Sequence, residues 1–225
     1  MTASRSTSAI PIKTGNIFKR GFDLIIAVLL MIVTSPFWLV AIIGIKLTSP
    51  GPVFYIALRV GQGGGTFPMA KFRSMHVSDE AGSAITAPSD SRIFPFGAFM
   101  RASKIDEMPQ LLNILAGHLS FVGPRPEDPG IVERHYDAEM REALAYVPGL
   151  TSVGAIHYMQ HFADNVSAAD TEQSYAENIL RHKLQLEIEY ARQATLLSDI
   201  GVMLKTGVLV IGGYLGRLMS LNRHE

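Results

Sequence analysis

The sequence predicts an α+β fold, mostly helical, carried into a membrane by its N-terminal helix. Three observations predict it. A nearly unbroken apolar stretch runs from Leu24 to Ile45. Two short β-type segments, Val53–Val60 and Thr66–Arg73, are joined by a glycine run. Beyond them, helical patterns dominate the second half of the chain. Bulk composition agrees. The 225 residues suffice for one domain with a core plus an anchor. Only 18% of residues are charged, and mean hydropathy is +0.21. Lys+Arg and Asp+Glu balance at 20 each, which speaks against nucleic acid as a partner. The absence of cysteine excludes disulfides and thiolate metal sites.

Residues 1–16 are Ser/Thr-rich and read as a flexible tail. Within Leu24–Ile45 only Thr34, Ser35, Pro36 and Gly44 are not plainly apolar. About 20 such residues cross a bilayer as a helix. Ser35-Pro36 lies at the midpoint, where proline removes a backbone donor and bends the helix. Lys13, Lys19 and Arg20 precede the stretch, and Lys46 and Arg59 follow it. A single crossing favours a charge bias that these flanks lack. A kinked span and a re-entrant hairpin with both flanks on one face are therefore both open on residues alone.

Ser49-Pro50-Gly51-Pro52 ends this unit. Gly61–Gly65 then reads as a hairpin turn, because it lacks the GK[ST] ending of a phosphate loop. Residues 76–95 read as a surface loop, and Phe96–Arg101 and Asp106–Leu115 as short helices. Gly117–Gly130 reads as a loop, Ile131–Tyr146 as an exposed helix, and Pro148-Gly149 as a turn. Ser174–Leu197 has the pattern of a long amphipathic helix. Ile200–Leu221 is apolar but carries Lys205 and Arg217, so it is expected on the membrane interface rather than across it.

Two clusters could carry chemistry. Asp106-Glu107 precede Pro109 and an apolar run, which places them at a helix start. Capping alone is the bland alternative for Asp106. The second cluster is basic. Lys71 and Arg73 share one face of the second strand. Arg101 precedes the acidic pair, and Arg125 is held between Pro124 and Pro126. A fixed guanidinium suits phosphate. Carboxylates could hold Mg²⁺ against phosphate oxygens, or attack phosphorus directly. His157 and His161 stand at i, i+4, but without an intervening Glu a packing role is the default.

In joint order these stretches resemble the monotopic phosphoglycosyl transferases, also called bacterial sugar transferases. The resemblance runs from about Lys19 to Thr206. It is carried by Lys19-Arg20-Gly21-Phe22-Asp23, Ser35-Pro36, Lys46–Phe54, Arg59-Val60-Gly61 and Lys71–Met75. It continues through Asp106–Leu111 with Asn113, Leu119–Pro126, Pro148–Thr151 and the spacing of Lys183, Tyr190 and Asp199. It implies a tail over 1–18, a re-entrant membrane hairpin over 19–48 broken at Ser35-Pro36, and a catalytic domain over 49–225 ending in an interfacial helix. It implies transfer of a sugar 1-phosphate from a nucleotide sugar, with UDP as nucleotide, to a polyprenyl phosphate such as undecaprenyl phosphate. Asp106 would be the nucleophile of a two-step covalent reaction, and Glu107 would assist with Mg²⁺. Lys71, Arg73, Arg101, Arg125 and Asp199 would bind substrate phosphates or order the site. The implied location is the cytoplasmic face of a bacterial inner membrane, with a homodimer left open.

One segment departs from the family pattern. Ser152–Met159 replaces a Gly-Trp-Ala-Gln run and a following Asn-Gly-Arg, which leaves the donor's identity open. The chain is expected to be a minimal catalytic unit without a multi-span N-terminal region. The competing readings are a one-step metal-dependent transferase and a non-enzymatic membrane scaffold.

Overall fold

The computed structural model describes residues 12–13, 16–77, 90–161 and 172–221. Most of the expected tail, most of the expected 76–95 loop and Arg223 lie outside the described residues.

Helix α1, Ile17–Thr48, starts where Asn16 Oδ1 accepts from the Phe18 amide. It carries through Pro36. Proline leaves the Ile32 carbonyl without its helical donor, and Ser35 Oγ donates to that oxygen at 2.8 Å. Thr34 Oγ1 donates to the Leu30 carbonyl at 2.6 Å. The Ser-Pro pair thus satisfies itself, as an apolar environment requires.

Both ends of α1 pack on the rest of the chain, and most of its middle is exposed, Trp38 against Phe72 excepted. Near the start, Lys19 Nζ donates to the Val122 carbonyl at 3.0 Å. Arg20 donates to the Ile114 and Leu115 carbonyls at 2.6 and 3.0 Å. Near the end, Ala41 and Ile45 are buried with Phe72, Phe94 and Met100. Between these anchors Ile32, Val33, Phe37, Leu39 and Val40 are exposed.

Strands β1 (Phe54–Val60) and β2 (Thr66–Phe72) form the expected antiparallel hairpin, in register from Phe54 opposite Phe72 to Val60 opposite Thr66. Gly63 turns the corner at a φ of 75°, which favours glycine. Helices α2 (Pro95–Ala102) and α3 (Gln110–Ala116) follow, separated by a 3₁₀ turn at Ile105–Glu107.

The region expected as a loop over 117–130 contains a strand, β3 (Ser120–Val122). It pairs in parallel with β4 (Gly149–Thr151), which begins inside the expected turn. Three-residue strands are too short to show an alternating pattern. Glycine is what permits them. A Cβ on Gly123 would meet the Val147 carbonyl oxygen at 2.3 Å, and one on Gly149 would meet the Gly123 nitrogen at 2.2 Å.

The exposed helix expected over 131–146 is replaced by α4 (Pro129–His135) and a 3₁₀ turn at Met140–Ala145. Tyr136 is extended, and Asp137 Oδ1 accepts from the Met140 amide at 2.9 Å to start the second piece. This segment is buried rather than exposed. Ile131, Val132, Tyr136, Met140, Ala143 and Leu144 form a core with Leu180, Leu184 and Ile188.

Helix α5 (Val153–His161) covers the divergent segment. The long C-terminal pattern resolves into α6 (Glu172–Tyr175), a π turn at Ala176–Leu180 and α7 (Arg181–Gln193). Thr195 then starts α8 (Leu196–Leu221). The Ser198 amide donates to Thr195 Oγ1 at 3.1 Å and the Thr195 amide to Ser198 Oγ at 2.9 Å, a reciprocal cap. Helix α1 and the Leu196–Tyr214 part of α8 are both long and apolar enough, by length and composition, to cross a membrane. Leu197, Leu204, Val208 and Ile211 of α8 are exposed.

Candidate active site

Asn113 fixes the site's framework. From α3 its Nδ2 donates to the Pro68 carbonyl at 2.7 Å, and its Oδ1 accepts from the Ala70 amide at 2.9 Å. One side chain thereby replaces two backbone partners at the edge of β2. Lys71, the next residue, is brought beside the turn preceding α3.

That turn holds Asp106 and Glu107. The acidic pair lies just ahead of α3, in the Ile105–Glu107 turn, rather than in its first turn. Lys104 enters the turn in the left-handed conformation, at a φ of 60°. The Glu107 amide then donates to the Lys104 carbonyl at 3.2 Å.

The two carboxylates have opposite surroundings. Glu107 Oε1 faces three cations: Arg125 Nη2 at 3.3 Å, Lys71 Nζ at 3.6 Å and Lys104 Nζ at 3.8 Å. Burial alone would raise the Glu107 pKa, but Lys71, Arg125 and Lys104 together hold it far below the usual carboxylate range. Asp106 is 5% exposed, and its Oδ1 is buried without a hydrogen-bond partner. Burial first, and the charge of Glu107 second, push its carboxyl up. Lys71, Lys104 and Arg101 oppose that shift without cancelling it. Gln110 Nε2, four residues on, is also buried and unpartnered. Buried polar atoms without partners are uncommon in native structures, so each of these two side chains keeps an unused hydrogen-bonding capacity.

Arg125 is held on every side. The Gly149 amide donates to the Pro124 carbonyl at 2.9 Å, strapping the Pro-Arg-Pro segment to β4. The Arg125 amide donates to Glu187 Oε2 at 3.2 Å, and Nη1 to the Leu150 carbonyl at 3.4 Å. Glu187 is buried on α7 and accepts from Ser152 Oγ at 2.5 Å. Beside it, Lys183 Nζ donates to Glu127 Oε1 at 2.6 Å and to Tyr175 Oη at 3.0 Å. A buried charged chain therefore backs Arg125. Sequence reading gave this segment only as an amphipathic helix, with Lys183 in the family spacing, and assigned no role to Glu187. Glu127, directly after Pro-Arg-Pro, was the available signal.

The expected site residues divide into two groups. Asp106, Glu107, Lys71 and Arg125 converge, and Arg101 at the end of α2 acts electrostatically on Asp106. Arg73 and Asp199 are engaged elsewhere. Arg73 lies one residue past β2, and its amide still donates to the Val53 carbonyl at 2.9 Å. It donates to the Pro52 carbonyl, Ser49 Oγ and the Ser49 carbonyl at 2.6, 2.8 and 2.8 Å, tying the end of α1 to the hairpin. Asp199 is 3% exposed. It pairs with Lys19 and accepts from Tyr190 Oη at 2.7 Å, locking α8 to α1 and α7. Ser35 and Pro36 sit in the exposed middle of α1.

Comparisons with known proteins identify the family. The family described as bacterial sugar transferase matches residues 14–213. A UDP-glucose:undecaprenyl-phosphate glucose-1-phosphate transferase of Xanthomonas campestris is 35% identical over 195 residues, which are 84% of this chain and 38% of that protein. The Caulobacter vibrioides protein of the same description is 33% identical over 84% of this chain and 67% of its own length. Exopolysaccharide production protein PSS of Rhizobium leguminosarum is 31% identical over 85% of this chain and 94% of its own length. The chain thus spans well under half of the Xanthomonas relative and nearly all of the Rhizobium one. With the family match covering the hairpin, the acidic turn and the Pro-Arg-Pro segment alike, this chain belongs to the bacterial sugar transferase family.

Proposed function

We propose that this chain moves a sugar 1-phosphate from a nucleoside diphosphate sugar, a UDP-sugar first among candidates, to undecaprenyl phosphate in two covalent steps. The carrying observation is the contrast within the acidic pair. Asp106 offers a buried oxygen with no partner, while the adjacent Glu107 gathers three cations. A desolvated carboxylate is a stronger nucleophile, and positive charge beside it offsets the charge of arriving phosphates. In the first step Asp106 attacks the sugar-bearing phosphorus. The bond from that phosphorus to the bridging oxygen breaks, and its electron pair leaves with the nucleoside monophosphate. In the second step a phosphate oxygen of the lipid attacks the same phosphorus, and the Asp106 carboxylate leaves. The relatives' names, which pair UDP-glucose with undecaprenyl phosphate, support the substrates.

Mg²⁺ fits these residues. Among the described residues no group of three or more metal-binding side chains occurs. Mg²⁺ commonly takes one or two carboxylates and completes its shell with substrate phosphates and water. Asp106 and Glu107 would hold it, and it would neutralise part of the diphosphate charge.

The membrane arrangement supports the lipid substrate. Both anchored ends of α1 rest on one body while its middle is apolar and exposed. A re-entrant hairpin entering from the cytoplasmic face of the bacterial inner membrane accounts for this. It sets the acidic turn at the boundary where a soluble donor meets a lipid acceptor.

The test is incubation of the purified chain with UDP-sugars and Mg²⁺, with and without undecaprenyl phosphate. Release of UMP and a phosphosugar adduct on Asp106 without acceptor are expected. A one-step reaction, with Asp106 only binding metal, gives UMP solely when acceptor is present and no adduct.

A further inference from the structure

We infer that Lys104 is a further substrate-binding residue of this site, a cation at its mouth that takes a phosphoryl oxygen of an incoming substrate. The inference rests on the reading just given and assigns a role to Lys104, which the sequence reading left without one. Its first support is backbone conformation. Among the described residues, Lys104 is the only non-glycine residue at positive φ. The left-handed region is unfavourable for a lysine and free for glycine. Strained residues of this kind persist where the surrounding structure fixes them, and they cluster at functional sites.

The second support is where the strain sends the side chain. The Lys104 amide donates back to the Arg101 carbonyl at 3.3 Å, and its carbonyl accepts from Glu107. The reversal folds the ammonium over the acidic turn, to 3.8 Å from Glu107 Oε1. It acts electrostatically on both carboxylates.

The third support is the order of exposure. Around Glu107, the side chains of Lys71, Arg125 and Lys104 are 20%, 31% and 47% exposed. The first two are fixed in the wall of the site, by the Asn113 clamp and the Pro-Arg-Pro strap. Lys104 is the outermost, on a flexible stem with three rotatable donors. Its pairing with Glu107 is long and half open to water, so it is weak and easily exchanged for a phosphate. Of these three cations, Lys104 is the one most open to an arriving phosphate. Both substrates carry that group, the donor as a diphosphate and the acceptor as a lipid monophosphate.

Three variants separate charge from strain. Lys104→Gly and Lys104→Asn remove the ammonium and keep a backbone suited to the turn. Lys104→Arg keeps the charge. Two arms identify the source of the phosphate. One is the single-turnover burst of UMP from a UDP-sugar without acceptor. The other is discharge of the preformed adduct by undecaprenyl phosphate. Lys104→Gly and Lys104→Asn are expected to lower the apparent affinity in one arm by roughly tenfold, as lost charge-assisted contacts do. Melting temperature should hold or rise, and Lys104→Arg should recover most of the loss. The slowed arm names the substrate held. Affinities within twofold of wild type in both arms overturn the inference, as does an arginine variant as impaired as the glycine one. A wild-type chain that releases no UMP and forms no adduct sinks the underlying reading, and the role of Lys104 with it.

Discussion

Asp106 and Glu107 are adjacent in sequence yet electrostatic opposites. Glu107 Oε1 has three cations within 3.8 Å, whereas Asp106 Oδ1 is buried with no partner. The cations gather on the residue that stays charged, and the neighbouring Asp106 oxygen is left without a partner. Paired carboxylates whose surroundings drive their pKa values apart are how a site assigns separate roles to identical groups.

The first prediction concerns the two amides. Asp106→Asn should abolish the adduct and lower UMP release by about a thousandfold or more, the usual scale for losing a nucleophile. It should not destabilise the protein at neutral pH, because it replaces a buried carboxylate whose charge is unfavourable there. Glu107→Gln should behave differently. It leaves Lys71 and Arg125 without their anion, so it should lower both melting temperature and turnover, the latter by roughly a hundredfold. Equal thermal effects of the two substitutions would contradict the assignment.

The second prediction is a pH profile. Asp106 must be ionised to attack, and its pKa is raised by burial. The acid limb of kcat/KM should therefore lie above the ordinary carboxylate value of about 4. Glu107, held far down, remains ionised across that limb. Lys71 is lowered by burial, so the alkaline limb should fall below the usual lysine value of about 10.4. The stability signs run opposite. The raised Asp106 contributes stability at low pH that is lost as pH rises through its folded pKa. The depressed Glu107 contributes stability at neutral pH that is lost only as pH falls through its own. Calorimetry of wild type and Asp106→Asn should converge toward acid and diverge above the acid limb. An acid limb unchanged in Asp106→Glu and Glu107→Gln alike would point to another ionisation.

Much of this was legible in the sequence for reasons that differ by element. The hairpin was readable because β-type residues and a glycine run are local signals. Arg125 was readable because flanking prolines restrict its backbone whatever the fold. Arg73 was grouped with Lys71 by strand alternation, which carries no information about the Ser49 and Pro52 oxygens that take up its side chain. The β3–β4 pair was invisible because parallel pairing of three-residue strands is decided by a contact between Gly123 and Gly149, far apart in sequence. Glu187 and Lys183 fit a solvated helix face equally well, and only tertiary packing buries them. Lys104 opens the acidic cluster in the sequence, but its left-handed backbone has no compositional signature, so its placement over Glu107 was not readable.

The third prediction separates architecture from binding. Arg73→Ala removes donors from three oxygens of the Ser49–Pro52 turn, two of them carbonyls. It should cost about 2–4 kcal/mol of stability, the scale of leaving buried polar partners unmatched. Asp199→Asn weakens the tie to Lys19 and Tyr190 and should cost about 1–3 kcal/mol. At a temperature where each variant is folded, the donor KM should stay within about threefold of wild type, since neither side chain adjoins Asp106. A large KM change with unchanged melting would return these residues to the phosphate site.

The last prediction concerns how α1 meets the membrane. The natural sequence has no cysteine, so single cysteines report position on a clean background. Lys13→Cys lies just before the helix, Thr48→Cys at its end, and Val33→Cys in its exposed middle. In a re-entrant hairpin, a membrane-impermeant maleimide should label positions 13 and 48 from the same side and spare position 33 from both. A spanning helix exposes 13 and 48 on opposite sides instead. The hairpin also predicts an effect of Ser35→Ala. Without the hydroxyl, the Ile32 carbonyl freed by Pro36 has no donor in hydrocarbon, where an unmatched polar group costs several kcal/mol. The variant should insert less efficiently while the catalytic body still folds. Pro36→Ala should have the reverse character, because it restores the backbone donor and straightens the helix. Its label pattern should shift toward opposite-side reactivity, and unchanged same-side labelling would mean that packing at the two ends of α1, rather than proline, sets the bend.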